Sequence, residues 1–491
     1  MSSDPAIRLH SSYNPAREAR RYIEESIRVR DPRIIVVTEP GESWLAGELR
    51  ERFPRASLIA VRYCRDLYVD FDSLWDAVWR PESGIELHTF LFNLIPEEEL
   101  PLSVFLPWKP ADAVWPDAAS RVWGDISSLI HTQISLIRTR NHFGPVWLSN
   151  SVRNSILIRQ TSKAVHTGKP VLLAAAGPSL ERLFPLENRD RFYVITVSSA
   201  LRCALENGIR PDLCMTTDGG YWSKEHLRDL PGEVPLAFPL EASIPLRALE
   251  SNPAVLLDYG SALEAALFGK GGIHGERVRQ CATVSGTAAY YALEHTSDKV
   301  YASGLDLAPS HSFTHCRPHS TDHAISAKTG RFNPVSGLLY EQGRENAQME
   351  IYARWFSERE PSFTSRFFRL DPSSRALGAI RDIGIDEIPA LGRAPVTSTT
   401  PVTPDNRSAG GSRDRISTWL LEVADRFASI QEGQQDGLND ALMLQLLQMI
   451  SLVDYLSYMK GERSETEICA NASRFLSRLA GKARRYESNG T

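Results

Sequence analysis

Cysteine is scarce in this chain: six residues among 491, at positions 64, 203, 214, 281, 316 and 469. No two stand in a C-x-x-C pair, which excludes a zinc ribbon and a dithiol redox motif. So few thiols, so far apart, read as reduced side chains of a cytosolic protein. Charge of one sign is lacking as well. Lys and Arg number 55 against 60 Asp and Glu, a net of −5, so no general basic field draws the chain to nucleic acid. Long apolar runs are also missing. The amino terminus, MSSDPAIRLHSSYNP, contains no signal-peptide core. The most apolar late stretch, Ala441 to Leu456, is interrupted by Gln445, Gln448, Ser451 and Asp454. It reads as an amphipathic helix, not a membrane span of ~20 apolar residues. Three catalytic signatures are absent: the G-x-x-x-x-G-K-[ST] P-loop, the GxGxxG dinucleotide turn and the GxSxG nucleophile elbow. The expectation is a soluble, cytoplasmic protein that binds no nucleic acid and has no membrane span.

What is present is an ordinary globular composition, 42% hydrophobic and 23% charged, long enough for two to four domains at ~100–200 residues each. Apolar β-rich runs alternate with helical patterns before residue 390, the signature of an α/β protein with a parallel sheet. Strands are expected at Val171–Ala175, Phe192–Val197, Leu213–Thr217, Val234–Phe238, Ala254–Leu257 and Lys299–Ser303. Arg393 to Arg413 is rich in Pro, Thr, Ser and Gly and reads as a flexible linker. The division expected is an α/β domain over 1–145, a Rossmann-type core over 146–335, an α/β extension over 336–392, the linker over 393–413, and a tethered helical bundle over 414–491.

Five places in the core could carry chemistry. After the first core strand, Gly177-Pro178-Ser179 forms a turn that opens a helix. Free N–H groups at a helix start are a ready anion site, and a tight turn that binds nothing fits equally well. Ser198 and Ser199 end the next strand, and Asp218-Gly219-Gly220 follows the third. Asp218 could hold a metal, a ribose hydroxyl or a reacting group, or simply cap the next helix. Asp306, in Gly304-Leu305-Asp306-Leu307, would be costly to bury unpartnered, so it faces either the cleft or a satisfied turn. Ser285 and Thr287 are cap-type residues that could add a phosphate or sugar contact. Beyond them His311, His315, His319 and His323 recur every four residues. On a helix this spacing can bind zinc, but Pro309 and Pro318 favour a loop over the cleft that supplies one histidine as base. His315, in Thr314-His315, is the choice.

Gly177-Pro178-Ser179-Leu180, Ala200-Leu201, Asn207-Gly208-Ile209-Arg210-Pro211-Asp212, Thr216-Thr217-Asp218 and Gly304-Leu305-Asp306-Leu307 with Thr314-His315 occur in one ordered series. The series resembles the motility-accessory-factor (Maf) flagellin glycosyltransferase family, whose core is also called 6-hydroxymethylpterin pyrophosphokinase MptE-like. Leu9-His10-Ser11-Ser12-Tyr13-Asn14-Pro15, Trp147-Leu148-Ser149-Asn150 and Arg153-Asn154 extend the resemblance over roughly residues 9–390. It implies a Rossmann-like core similar to sialyltransferases, with Gly177, Pro178 and Ser179 cradling the CMP part of a CMP-sugar donor. Ser198, Ser199, Ser285 and Thr287 would add nucleotide contacts. Asp218 and Asp306 would line the cleft, and His315 would serve as acid/base. The implied reaction moves a nonulosonic acid of the pseudaminic or legionaminic type onto Ser or Thr of flagellin, with Mg²⁺ the one cofactor it could use. The core name carries a rival, transfer of diphosphate from ATP to a hydroxymethylpterin, which would want Mg²⁺ on carboxylates such as Asp218 and Asp306. A third reading is a non-catalytic flagellin-binding assembly factor.

Overall fold

Runs such as Val171-Leu172-Leu173-Ala174 and Ile34-Ile35-Val36-Val37 are buried at every position, as parallel strands covered on both faces must be. They organise a computed structural model that describes residues 8–186, 188–281, 283–307, 314–334, 347–372, 376–388, 405–406, 409–431, 438 and 440–486. Contacts divide the chain into two units. The first holds residues up to Gly144 together with Ser451–Ile468, and the second holds Pro145–Ile450 and the remainder of the carboxyl tail.

The first unit is built on four parallel strands: β1 (Ile34–Thr38), β2 (Ser57–Val61), β3 (Ala77–Trp79) and β4 (Ser103–Pro107). Their order is β3-β2-β1-β4, with Val36 opposite Ile59 and Phe105. Helix Pro15–Ser26 is capped at its start. The Asn14 side chain accepts the Arg17 N–H at 2.9 Å, and Pro15 needs no donor in the first turn.

The second unit is a larger sheet whose strands, in chain order, are β5 (Gln160–Thr161), β6 (Val171–Ala174), β7 (Tyr193–Val197), β8 (Leu213–Met215), β9 (Leu236–Pro239), β10 (Ala254–Asp258), β11 (Glu276–Arg277), β12 (Val300–Ser303), β13 (Phe367–Leu370), β14 (Arg381–Ile383) and β15 (Asp405–Asn406). They lie in the order β14-β13-β12-β6-β7-β8-β9-β10-β5-β15, with β11 beside β10. All pairs are parallel except β15 on β5. All six strands expected for the core are present. The chain is thus an α/β protein with a small amino-terminal sheet, a large core sheet and carboxyl-terminal helices.

Two expectations change. Asp405–Asn406 pairs with Gln160–Thr161, and helix Ala409–Gln431 begins inside the stretch read as linker. This helix is no tethered bundle. Arg415 Nε donates to Lys270 O at 2.9 Å, and Gln445 Oε1 accepts the Leu263 N–H at 2.9 Å, so the tail packs on helix Ala262–Gly271. Helix Ala441–Met459 is long and apolar enough to cross a membrane, yet Ser451 (φ −157°, ψ 90°) breaks it and a third of that stretch is buried within the protein.

Candidate functional site

From β6 the chain steps outward through β7, β8, β9 and β10, then returns to β12 on the other flank of β6. Connections leave the carboxyl ends of β6 and β12 in opposite directions, the place where open parallel sheets hold ligands. Gly177-Pro178-Ser179 follows β6 and Gly304-Leu305-Asp306 follows β12. The two motifs close on each other. Gly177 N–H donates to Gly304 O at 2.7 Å, Gly304 N–H to Ser179 Oγ at 3.2 Å, and Ser179 N–H to Asp306 Oδ2 at 2.8 Å. Asp306 is 2% exposed. Of the two roles open to it, the structure selects the satisfied turn over cleft lining. Its carboxylate caps the short helix Pro178–Leu183 and takes an N–H that a phosphate would have used. Arg369, also buried, holds the strand end by donating to Leu305 O at 3.2 Å and to both oxygens of Asp382.

Asp218, by contrast, is exposed. Gly220 N–H donates to its Oδ1 at 2.8 Å, an Asx turn ahead of helix Tyr221–His226. One face of the last turns of helix Pro116–Leu157 holds this loop and the neighbouring 240–244 segment. Asn150 Nδ2 donates to Gly219 O and Glu241 O, Asn154 Nδ2 to Leu240 O and Ala242 O, and Arg153 Nη1 to Ile244 O. Gly219 lies so close to Trp147 that a Cβ would fall 2.2 Å from the indole. Ser198 is buried, and its Oγ donates to Thr216 Oγ1 at 3.2 Å. That atom in turn shares a hydrogen bond with Ser223 Oγ. Ser198 therefore ties strand ends together, while Ser199 beside it is half-buried. The cap of helix Val284–His295 is Thr283, which accepts the Gly286 N–H at 2.8 Å. The capping expected of Ser285 and Thr287 is corrected: the helix starts before them, leaving Ser285 half-buried and Thr287 buried within it.

The histidine segment is a loop at residues 314–321, as its prolines require. Cys316 N–H donates to Ala176 O at 2.8 Å, Arg317 N–H to Glu181 Oε1 at 2.8 Å, and the Cys203 thiol to Arg317 O at 3.2 Å. His315 bonds Thr314 Oγ1 through Nδ1 at 2.9 Å and stacks on His319 with ring centroids 4.5 Å apart. The His319 ring lies 5.2 Å from that of His226, whose Nδ1 bonds Ser320 Oγ at 2.5 Å. His323 is exposed on helix Asp322–Lys328, and His311 lies outside the described residues. Among the described residues, no three His, Cys, Asp or Glu ligand atoms converge around Asp218, Asp306 or His315.

Sequence reasoning missed two members of this cluster. His226 ends an unremarkable helix, and Arg202 follows the Ser198-Ser199 pair by one turn. Only the fold brings either to His319. Among the described residues, Arg202 Nε and His319 Nε2 are buried with no hydrogen-bond partner. Burial, then His315, pushes His226 down to about 4, with Asp218 opposing. Burial, then His315, His226 and Arg202, pushes His319 down to about 3, and burial lowers His315 too. All three imidazoles are neutral at pH 7. A depressed histidine gives stability that is complete above its unfolded value near 6.5 and is lost as pH falls toward the folded value. His319 alone should cost the fold about 2 kcal/mol between pH 7 and 5. Urea midpoints across that range should fall less steeply in His319→Gln than in the wild type. Equal slopes would contradict the assignment.

Comparison with known proteins follows the same residues. The family described as 6-hydroxymethylpterin diphosphokinase MptE-like matches residues 148–312. A protein of Treponema pallidum (strain Nichols), itself uncharacterized, is 34% identical over 306 residues, covering 62% of this chain and 68% of the relative. Residues 148–312 thus form an MptE-like domain. The MptE-like match contains the Gly177 turn, Asp218 and Asp306, and ends before His315. Among solved structures, the MAf glycosyltransferase from Magnetospirillum magneticum AMB-1 aligns over 98% of this chain and 84% of its own length, at 12% identity and a TM-score of 0.44.

Proposed function

We propose that this MptE-like chain is a glycosyltransferase that moves a nonulosonic acid from a CMP-activated donor to Ser or Thr hydroxyls of flagellin. One observation carries the reading. Among the described residues, two buried polar atoms, Arg202 Nε and His319 Nε2, lack partners in a cluster of neutral imidazoles reached by the exposed Asp218 loop. Unmet buried donors and acceptors beside a strand-end crevice are what a polar ligand would satisfy. A guanidinium suits the donor's phosphate or carboxylate. A neutral imidazole suits removal of a hydroxyl proton.

In this reading the acceptor oxygen attacks the anomeric carbon, its proton passes to His315, and CMP departs with the bonding electrons. No covalent enzyme intermediate forms. Asp218 orients the acceptor or a sugar hydroxyl, and Asp306 positions the turn without touching the reacting atoms.

The family description favours one rival, diphosphate transfer from ATP to a pterin. That chemistry would need Asp218 and Asp306 together for Mg²⁺, and Asp306 is committed to the Ser179 N–H. Thermal shift separates the two, because a ligand that binds only the native state raises its stability. CMP or CDP should raise the melting temperature, and ATP with hydroxymethylpterin should not. The reverse pattern would sink the transferase reading.

A further inference from the structure

Apart from the Asp218 and His319 residues, three side chains converge that no part of the proposed chemistry uses. His166 lies on the loop leading to β6, Glu276 on β11, and His295 is the last residue of helix Val284–His295. One ligand atom from each lies within 4.8 Å of the other two.

The group is oriented rather than merely adjacent. His295 is 5% exposed and stacks on Tyr291, ring centroids 4.1 Å apart. Its Nδ1 donates to Tyr291 O at 2.7 Å, and Nε2 faces Glu276 Oε1 at 2.5 Å. The His166 ring sits 4.6 Å from that of His295. An imidazole whose Nδ1–H is fixed on a backbone carbonyl presents Nε2 as a ligand, a common arrangement behind metal-bound histidine. The neighbouring backbone is held as well, since Thr167 N–H donates to His295 O at 2.8 Å.

We propose that His166, Glu276 and His295 form a binding site for a Zn²⁺-class ion, with water in the fourth position. Two nitrogens and one carboxylate suit zinc and do not suit Ca²⁺ or Mg²⁺, which take oxygen ligands. Tetrahedral bonds of about 2.0–2.2 Å separate ligand atoms by roughly 3.4 Å. The His295–Glu276 pair would therefore open by about 1 Å as the ion takes the place of their shared proton. The site staples the loop ahead of β6 to β11 and to the end of helix Val284–His295. Its role is to stabilise the core.

The test uses the full chain stripped with EDTA and titrated calorimetrically with ZnCl2. Expected is saturable binding near one ion per chain, with a rise in melting temperature. His166→Ala should weaken binding at least tenfold while leaving the metal-free melting temperature unchanged, because His166 is exposed. Glu276→Gln should weaken it as well, and His319→Gln should bind as the wild type does. Absence of saturable binding overturns the proposal. So does binding that His166→Ala and Glu276→Gln leave intact, or that only His319→Gln removes.

Discussion

Gly304→Ala is expected to remove a large share of the core's stability. Gly304 sits at φ +75°, and an added Cβ would lie 2.1 Å from Ala175 O and 3.0 Å from Leu180 Cβ. The carbonyl cannot swing aside cheaply, since the Ala175 N–H is bonded to Ser303 O at 2.8 Å on the end of β6. Left-handed backbone costs an L-residue about 1–2 kcal/mol, and overpacking adds about 1–3 kcal/mol. The sum, on the order of 2–5 kcal/mol, is a large share of the 5–15 kcal/mol typical of a folded protein. Urea denaturation measures it directly. Gly269→Ala is the control. It lies in helix Ala262–Gly271 with nothing within 4 Å of its added Cβ, and should be neutral or stabilise by up to about 1 kcal/mol. Equal midpoints for the two variants would show that the turn tolerates a side chain.

His315→Ala carries the second large effect. Removing a general base typically lowers the chemical step by about 10²–10⁴-fold. His315 contributes no hydrogen bond to the strand ends. The loop is instead held by Cys316, Arg317 and Cys203, so the variant should fold and still bind the nucleotide. Transfer should fall at least 100-fold with little change in nucleotide affinity. A parallel loss of affinity would mean that His315 binds the donor and does not accept the proton.

Much of the core was legible because local signals and fold agree. Buried parallel strands declare themselves as continuous apolar runs, and all six expected for the core are there within a residue or two. The Gly177 turn was legible as well, as a strand end opening a helix. Its partner was not. Asp306 stands 127 residues from Ser179, and whether a carboxylate faces a cleft or caps a turn depends on what packs against it. The same holds for His226 and Arg202, lone residues on short helices that gain meaning only beside His319. Trp147, Asn150, Arg153 and Asn154 recur on one helix face and formed part of the family resemblance, but their task of holding Gly219 and the 240–244 segment required the tertiary structure. In the tail, composition misled at Ala409–Arg413. Small residues that read as linker there lie in the first turns of a helix stabilised by packing on Ala262–Gly271. Tertiary burial overrides weak propensity.

Intact-mass spectrometry of flagellin incubated with this chain and a CMP-activated nonulosonic acid tests the central claim most directly. The expected result is a mass increase in steps of one sugar residue, lost in His315→Ala and absent when the donor is omitted. Flagellin of unchanged mass, under conditions where the chain binds the cytidine nucleotide, would contradict it.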